Sequence, residues 1–212
     1  MSGSESWRDE LRAGCSSFQP PVAPVVAEQL IPFIQLILKW NAVFNLTGSK
    51  DPLDLVRRHV LDSLAVVPYI KGSFHLDVGT GAGFPGIPLA IALPSSRFVL
   101  VDSNGKKTRF VNQAIVELGL TNVEVRCTRV EKLAAPRCFD TIVSRAVADV
   151  AQLVSWCAPL CCEAGRMVWM KGPNVVQDEP HCPAGWRIGE IATLPVPGLE
   201  AERYAVIVER QL

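Results

Sequence analysis

The sequence predicts an α/β protein: a mostly parallel, doubly wound sheet of seven strands with an antiparallel C-terminal edge, preceded by a helical extension. Three observations predict it. Between residues 74 and 170, short apolar runs alternate with helical stretches, the pattern of parallel strands joined by crossover helices. Before residue 71, apolar residues recur at helical spacing instead. After residue 185, two apolar runs follow each other with only a Pro-Val-Pro-Gly connection, which suits an antiparallel pair.

The extension is assigned to residues 1–71 and the α/β domain to 72–212. From Val22 to Leu46 the helical stripe is Leu30, Phe33, Ile34, Ile37, Leu38, Trp40 and Phe44. Pro32 interrupts it, so a kink or a helix start is expected there. Trp40 and Phe44, at helical spacing, read as core rather than as base-stacking platforms. Asp51-Pro52 opens the next helix, with an acceptor at the cap and proline in the first position, and runs to about Tyr69. The strands are then expected at Phe74–Val78, Arg97–Val101, Val123–Cys127, Phe139–Val143, Arg166–Met170, Trp186–Leu194 and Tyr204–Val208.

Composition narrows the class. Hydrophobic residues at 49% and charged residues at 20% suit a globular chain, and no apolar run is long enough to span a bilayer. The first ten residues lack a basic n-region and an apolar h-region, so cytoplasm is the expected location. The seven cysteines contain no C-x-x-C pair, which removes the usual zinc-ribbon and dithiol signals. Cys157, Cys161 and Cys162 with His181-Cys182 could be imagined as a metal site, but the cysteines read as small buried hydrophobes and no metal is expected. The 21 basic and 21 acidic residues balance, against indiscriminate nucleic-acid binding. Residues 101–145 nevertheless hold eight Lys/Arg against five acids, which suits an anionic partner met locally or a solvated face.

The chemistry concentrates at Asp77-Val78-Gly79-Thr80-Gly81-Ala82-Gly83, where the first strand turns into a helix. Glycines there permit positive φ and close approach of a ligand to the backbone. Asp102 ends the next strand, where a carboxylate can accept from both hydroxyls of an adenosine ribose. Gly81-Ala-Gly-Phe-Pro-Gly86 also satisfies the dinucleotide pattern G-x-G-x-x-G. Two features disfavour that cofactor. Pro85 and Pro88 remove amide donors that a pyrophosphate would use, and Asp77 would repel it. A ligand carrying an ammonium and a sulfonium would be attracted to Asp77 instead, so S-adenosylmethionine is the expected cofactor.

Several separate stretches resemble one family: Lys39–Thr47, Arg58–Leu64, Asp77–Leu89, Asp102-Ser103 with Lys106-Lys107, Ser144–Ala148 and Lys171-Gly172. They are similar to the bacterial small-subunit ribosomal RNA methyltransferases once called glucose-inhibited division protein B. The resemblance spans about Leu36 to Glu209. It implies a Rossmann-like class I methyltransferase fold and methylation of guanine N7 in 16S ribosomal RNA, met in the small subunit or an assembly intermediate by a monomer. It also implies donor contacts from Gly79, Phe84, Val130, Glu131 and Arg145. With Asp77, Thr80, Gly81, Gly83 and Asp102 these make up the expected cofactor site. Arg145, Lys171 and His59 are the candidates for acting at the acceptor. Each has a plainer reading, as a surface charge, an ion pair or, for His59, helix packing. Asp62 is read as orienting a neighbouring Arg or His, and Asn45 as a site residue or a helix cap. Gly48, where many relatives carry Ala or Ser, is taken to leave the cofactor site alone.

Overall fold

The computed structural model describes residues 3–145, 147–177 and 180–211; Ala146, inside the Ser144–Ala148 motif, lies outside the described residues. The chain begins with helices α1 (Gly3–Ser17) and α2 (Pro24–Phe44). Proline sits in the first turn of α2, where its missing N–H costs nothing. The expected break at Pro32 does not occur: α2 runs through it. Pro32 is exposed, so the carbonyl it leaves unpaired faces water while Phe33 and Ile34 stay buried. Asn45 ends the helix in the left-handed region (φ 46°), a conformation asparagine tolerates better than most residues. The cap reading of Asn45 is the one the backbone adopts.

Asp51 caps the next segment as its sequence predicts, its side chain accepting from the Leu53 amide, with Pro52 following. This segment is not one uniform helix. It starts as α3 (Pro52–Leu55), widens into a π-helical stretch over Val56–Leu61, and tightens again as α4 (Asp62–Leu64). Wide turns of this kind recur at functional sites, because they displace carbonyls and side chains from α-helical register.

The sheet then forms over the expected segments, with β5 beginning five residues earlier than expected: β1 (Phe74–Val78), β2 (Arg97–Asp102), β3 (Val123–Cys127), β4 (Phe139–Arg145), β5 (Cys161–Lys171), β6 (Trp186–Thr193) and β7 (Tyr204–Arg210). Between them lie α5 (Gly86–Ala92), α6 (Gly105–Glu117), α7 (Val150–Cys157) and the short α8 (Asn174–Gln177). Strand order is β3-β2-β1-β4-β5-β7-β6, parallel except for β7 and β6. The order reverses between β1 and β4. A crevice opens there at the carboxyl ends of the strands, where doubly wound sheets bind ligands.

Side chains alternate across the sheet. Leu76 and Val78 join the cluster that contains Trp169, Leu153 and Val154. The opposite face packs Leu100, Val143 and Ile207 into a cluster continuous with Leu11, Leu30, Phe33, Ile37 and Leu61. The N-terminal helices therefore share one core with the sheet. Cys157 and Cys161 are buried as expected and Cys15 is buried too, but Cys182 is only partly covered, and Cys138 and Cys162 form a disulfide between the starts of β4 and β5. The strand pairing that brings those two together is invisible in their sequence spacing. Among the described residues no helix is long and apolar enough to cross a membrane.

Candidate active site

The cleft at the strand ends has a volume of ≈ 850 Å³. It is walled by the glycine turn, Asp102-Ser103, Thr128–Glu131, Arg145, Val147 and Met170–Gly172, and closed by Leu46–Gly48, Arg58, His59, Asp62 and Arg203. Two halves are distinguishable by their chemistry.

The first half surrounds the turn. Gly79 and Thr80 donate their amides to the Val101 carbonyl at 2.8 and 3.0 Å, which fastens the turn to the end of β2. Gly79, Gly81 and Gly83 have φ of 70°, 60° and 92°. A Cβ on Gly79 would collide with Val147, and one on Gly83 would lie 2.7 Å from Ile87. In front of Gly81 the nearest atoms stand 3.9 Å away, so its backbone is open to a ligand. Gly81 N donates to Asp102 Oδ2 at 2.9 Å and Asn104 N to Oδ1 at 2.8 Å. Each oxygen keeps a further lone pair, so the carboxylate is held in place with accepting capacity left for two hydroxyls. Val130 and Glu131, on a single 3-10 turn, form the far wall.

Asp77 and Gly83 do not line this cleft. Strand alternation turns the Asp77 side chain away from the crevice and beneath α5, where it is fully buried and accepts from the Gly86 amide at 2.9 Å. Burial pushes its pKa up to about 7, against the pull of the Thr80 hydroxyl, the Gly86 amide and Arg145. Its place is structural: it fixes the start of α5 behind the turn rather than meeting a cation directly. That contact also disposes of the dinucleotide alternative. The Gly86 amide is taken by Asp77, those of Ile87 and Leu89 by Gly83 and Pro85 carbonyls, and Pro88 has none. No amide of that helix start is left for a pyrophosphate.

The second half is a fixed cationic corner. Arg145 donates to the Arg58 carbonyl at 3.0 Å, to Asp62 Oδ2 at 3.1 Å and to His59 Nδ1 at 2.9 Å, and its guanidinium lies 5.2 Å from the Phe84 ring centre. An arginine can only donate, so Nδ1 accepts and the His59 proton resides on Nε2. Burial and the adjacent Arg145 hold His59 down to about 4, so the ring is neutral. Asp62 is almost fully buried, with Arg203 Nε 3.5 Å from its other oxygen. Burial pushes its pKa up while the two guanidiniums oppose that. Asp62 thus orients Arg145, as the sequence suggests. Lys171, half-buried, donates to the Ala148 carbonyl, and burial lowers its pKa.

Arg145, His59, Lys171 and Phe84 therefore converge on one cleft with the turn and Asp102. Arg57 does not: its guanidinium is held by Glu10 at 2.6 Å, away from the cleft. Gly48 does line the cleft, so its departure from Ala or Ser touches the site after all; nothing lies within 4 Å of where a Cβ would sit, and a small side chain would fit. Arg203 and Arg129 are wall residues that the sequence does not single out, and Lys107, part of a family-like stretch but given no site role there, lines the cleft too. Arg203 precedes β7, whose register sets Tyr204 opposite Lys171, and only that pairing reveals it. Phe44, read as core, is 51% exposed.

A family model for rRNA small subunit methyltransferase G matches residues 26–206. A ribosomal RNA small subunit methyltransferase G from Marinobacter nauticus is 43% identical over 204 residues, covering 96% of this chain and 95% of its own. Its namesake from Herminiimonas arsenicoxydans is 46% identical over 187 residues, 86% of each chain. Among solved structures, magnesium protoporphyrin IX methyltransferase from Synechocystis PCC 6803, with bound SAH, superposes with a TM-score of 0.58 over 84% of this chain and 100% of its own. A SAM-dependent methyltransferase from Aquifex aeolicus gives 0.54 over 73% and 92%. At 15% and 18% identity these two bear on the fold alone, which is that of the class I methyltransferases. The cleft presents an Asp102 carboxylate with accepting capacity to spare, the amides of Gly86, Ile87 and Leu89 are engaged, and the similarity to the first two proteins runs nearly end to end. The chain belongs to the rRNA small subunit methyltransferase G family and is an S-adenosylmethionine-dependent methyltransferase.

Proposed function

We propose that the enzyme methylates N7 of a guanine in 16S ribosomal RNA, and that the two halves of the cleft divide the work. The observation that carries this reading is the juxtaposition of an Asp102–glycine-turn pocket with a corner of oriented cations in one continuous cleft.

Asp102 would hold the ribose hydroxyls of S-adenosylmethionine, and Gly79, Thr80 and Gly81 would let the ligand approach their backbone. Val130, Glu131 and Phe84 would flank it, while Asp77 and Gly83 act from behind by fixing the turn. S-adenosylmethionine supplies an electrophilic methyl group on a sulfonium. Guanine N7 already presents an in-plane lone pair, so no side chain has to remove a proton first. The neutral His59, with its Nδ1 engaged by Arg145, fits a positioning part better than that of a base.

What the chain must do is align the base and tolerate positive charge moving onto it. Guanine O6 neighbours N7 and accepts hydrogen bonds, the edge that Arg and Lys characteristically read. Arg145 retains unspent N–H donors beyond its three bonds, and Lys171 retains two beyond Ala148. Either could fix O6, and Asp62 keeps Arg145 from rotating away. Residues 1–71 are read as an extension that completes the acceptor side of a methyltransferase domain spanning 72–212. The small subunit or an assembly intermediate as substrate, a monomeric enzyme and a cytoplasmic location complete the proposal.

The test is direct. The enzyme is incubated with isotopically labelled donor and small subunits from cells lacking the modification, and the label is mapped by borohydride–aniline cleavage at 7-methylguanine. Label at one guanine is expected; transfer to another atom, or none, would sink the reading.

A further inference from the structure

Six side chains form an unbroken chain of ring contacts from the surface to the acceptor corner. Phe44 lies 5.3 Å from Trp40, Trp40 5.5 Å from Phe110, Phe110 6.5 Å from Phe33, Phe33 5.3 Å from Phe84, and Phe84 5.1 Å from His59. Five of the six are where burial would put aromatic rings: Phe33, Phe84 and Phe110 are core, and Trp40 and His59 are partly covered. Phe44 is the exception, half exposed at the last turn of α2, beside Val43 at 73% exposure. An exposed aromatic braced by a buried stack keeps one face for a ligand and loses little entropy on binding, since its partner already fixes it.

Its position matters more than its exposure. Asn45 turns the chain immediately after Phe44, and Leu46, Thr47 and Gly48 then form part of the cleft wall. Asn41 pins that turn, its side chain donating to Ser49 and accepting from the Thr47 amide. Phe44 therefore precedes the cleft wall by two residues, on the other side of the tight turn at Asn45.

The charges on these elements fit one kind of partner. Lys107 lines the cleft, and Lys106 lies one helical turn before Phe110, on the α6 face that meets Trp40. Lys39 and Lys50 bracket the end of α2. Among the described residues, none of these four lysines takes part in an ion pair, whereas Arg57, Arg58 and Arg145 all do. The acids nearby are engaged: Asp51 caps α3 and Asp102 receives two amides. Lysines outside ion pairs on α2, on α6 and in the segment after α2, the elements that carry or follow this stack, together with an exposed ring match a single strand of nucleic acid, with phosphates for the lysines and a π-face for the phenyl group.

We propose that Phe44 is a stacking platform for an unpaired nucleobase flanking the target guanine, with these lysines holding the adjoining phosphates. This rests on the assignment of ribosomal RNA as substrate and names the surface that receives it. The enzyme would bind the target in a looped-out or single-stranded segment, as sequence-selective RNA readers usually do.

Methyl transfer to unmethylated small subunits is measured for wild type, Phe44→Ala, Phe44→Leu and Phe44→Trp, with donor affinity measured separately by calorimetry. Loss of one base–aromatic stack corresponds to about a 5- to 100-fold rise in KM for the subunit. That rise is expected for Phe44→Ala and largely retained in Phe44→Leu, while Phe44→Trp is close to wild type; donor affinity stays within about twofold throughout. An unchanged KM in Phe44→Ala overturns the proposal. So does a Phe44→Leu enzyme that matches wild type, which would mark the surface as an apolar seat for a ribosomal protein. Loss of donor binding along with KM would make Phe44 a packing residue and overturns it too. Failure of the wild-type enzyme to label the subunit at all would instead refute the substrate assignment, a result that the variants cannot mimic.

Discussion

His75 is fully buried on β1, neither ring nitrogen has a hydrogen-bond partner, and its ring rests 4.8 Å from Phe98. Burial holds it neutral, down to about 4 from the usual 6.5, with Asp140 opposing weakly. The unfolded chain protonates this histidine as pH falls through 6.5, while the folded protein resists until about 4. Its contribution to stability is therefore complete above 6.5 and is lost progressively between 6.5 and 4. Asp77 runs the other way. Its pKa is raised to about 7, so the folded state holds a proton that the unfolded state has released above 3.8. Because the two slopes oppose, a variant resolves them better than the wild type alone. His75→Leu should flatten the pH dependence of the denaturation midpoint between 4 and 6.5, by up to about 1.4 kcal/mol per pH unit relative to wild type. Parallel curves for the two proteins would show that His75 does not titrate differently on folding. At the acceptor corner, Lys171→Met should lower kcat by about tenfold or more and leave donor affinity nearly unchanged, whereas Asp102→Ala should do the reverse. Titration calorimetry beside single-turnover rates separates the two, and equal losses in both variants would contradict the division of the cleft.

The glycine turn gives a sharper contrast at the scale of an element. Gly79 has φ 70° and a Cβ there would run into Val147, so Gly79→Ala carries both backbone strain and a clash. The strain alone is about 1–2 kcal/mol, and donor affinity should fall with it. Gly48 lines the same cleft with open space before it, so Gly48→Ala should leave both stability and donor affinity within about 0.5 kcal/mol of wild type. Thermal melts with and without donor measure both. The turn was legible from residue types because its requirement is conformational, and three alternate glycines announce it. The strands were legible for a similar reason: most are apolar runs, β3 alternates instead as Val-Glu-Val-Arg-Cys, and all seven overlap the expected segments, although β5 begins at Cys161, five residues before the expected Arg166. What was not legible depends on facing and register. Asp77 looked like a ligand contact because its position in sequence is right, but strand alternation decides that it faces α5. Pro32 looked like a break because proline removes a bond, but its exposed setting makes the loss tolerable. Arg203 and the Cys138–Cys162 bond both wait on which strand lies beside β5.

At the scale of the whole molecule, the continuity of the core across residue 71 has a consequence for folding. Phe33 on α2 touches Phe84 after the glycine turn and Phe110 on α6, and α1 contributes Leu11 to the same cluster as Leu100 of β2. Separating the extension from the sheet would expose that entire face to water, at about 25 cal/mol for every Å² of apolar surface uncovered. The extension and the sheet should therefore unfold together. A single transition is expected, with tryptophan fluorescence and far-ultraviolet circular dichroism giving the same midpoint, since Trp7 and Trp40 lie in the helices and Trp169 in the sheet. Phe33→Ala should shift that one midpoint downward, by about 3–5 kcal/mol in stability, without splitting it. A saturating donor should raise the midpoint for the whole molecule, by about 2.7 kcal/mol at a hundredfold excess over its dissociation constant, even though the donor touches only one side of the cleft. Two resolved transitions, with the donor shifting only the later one, would mean that the helices are an independent unit and that the shared core does not couple them.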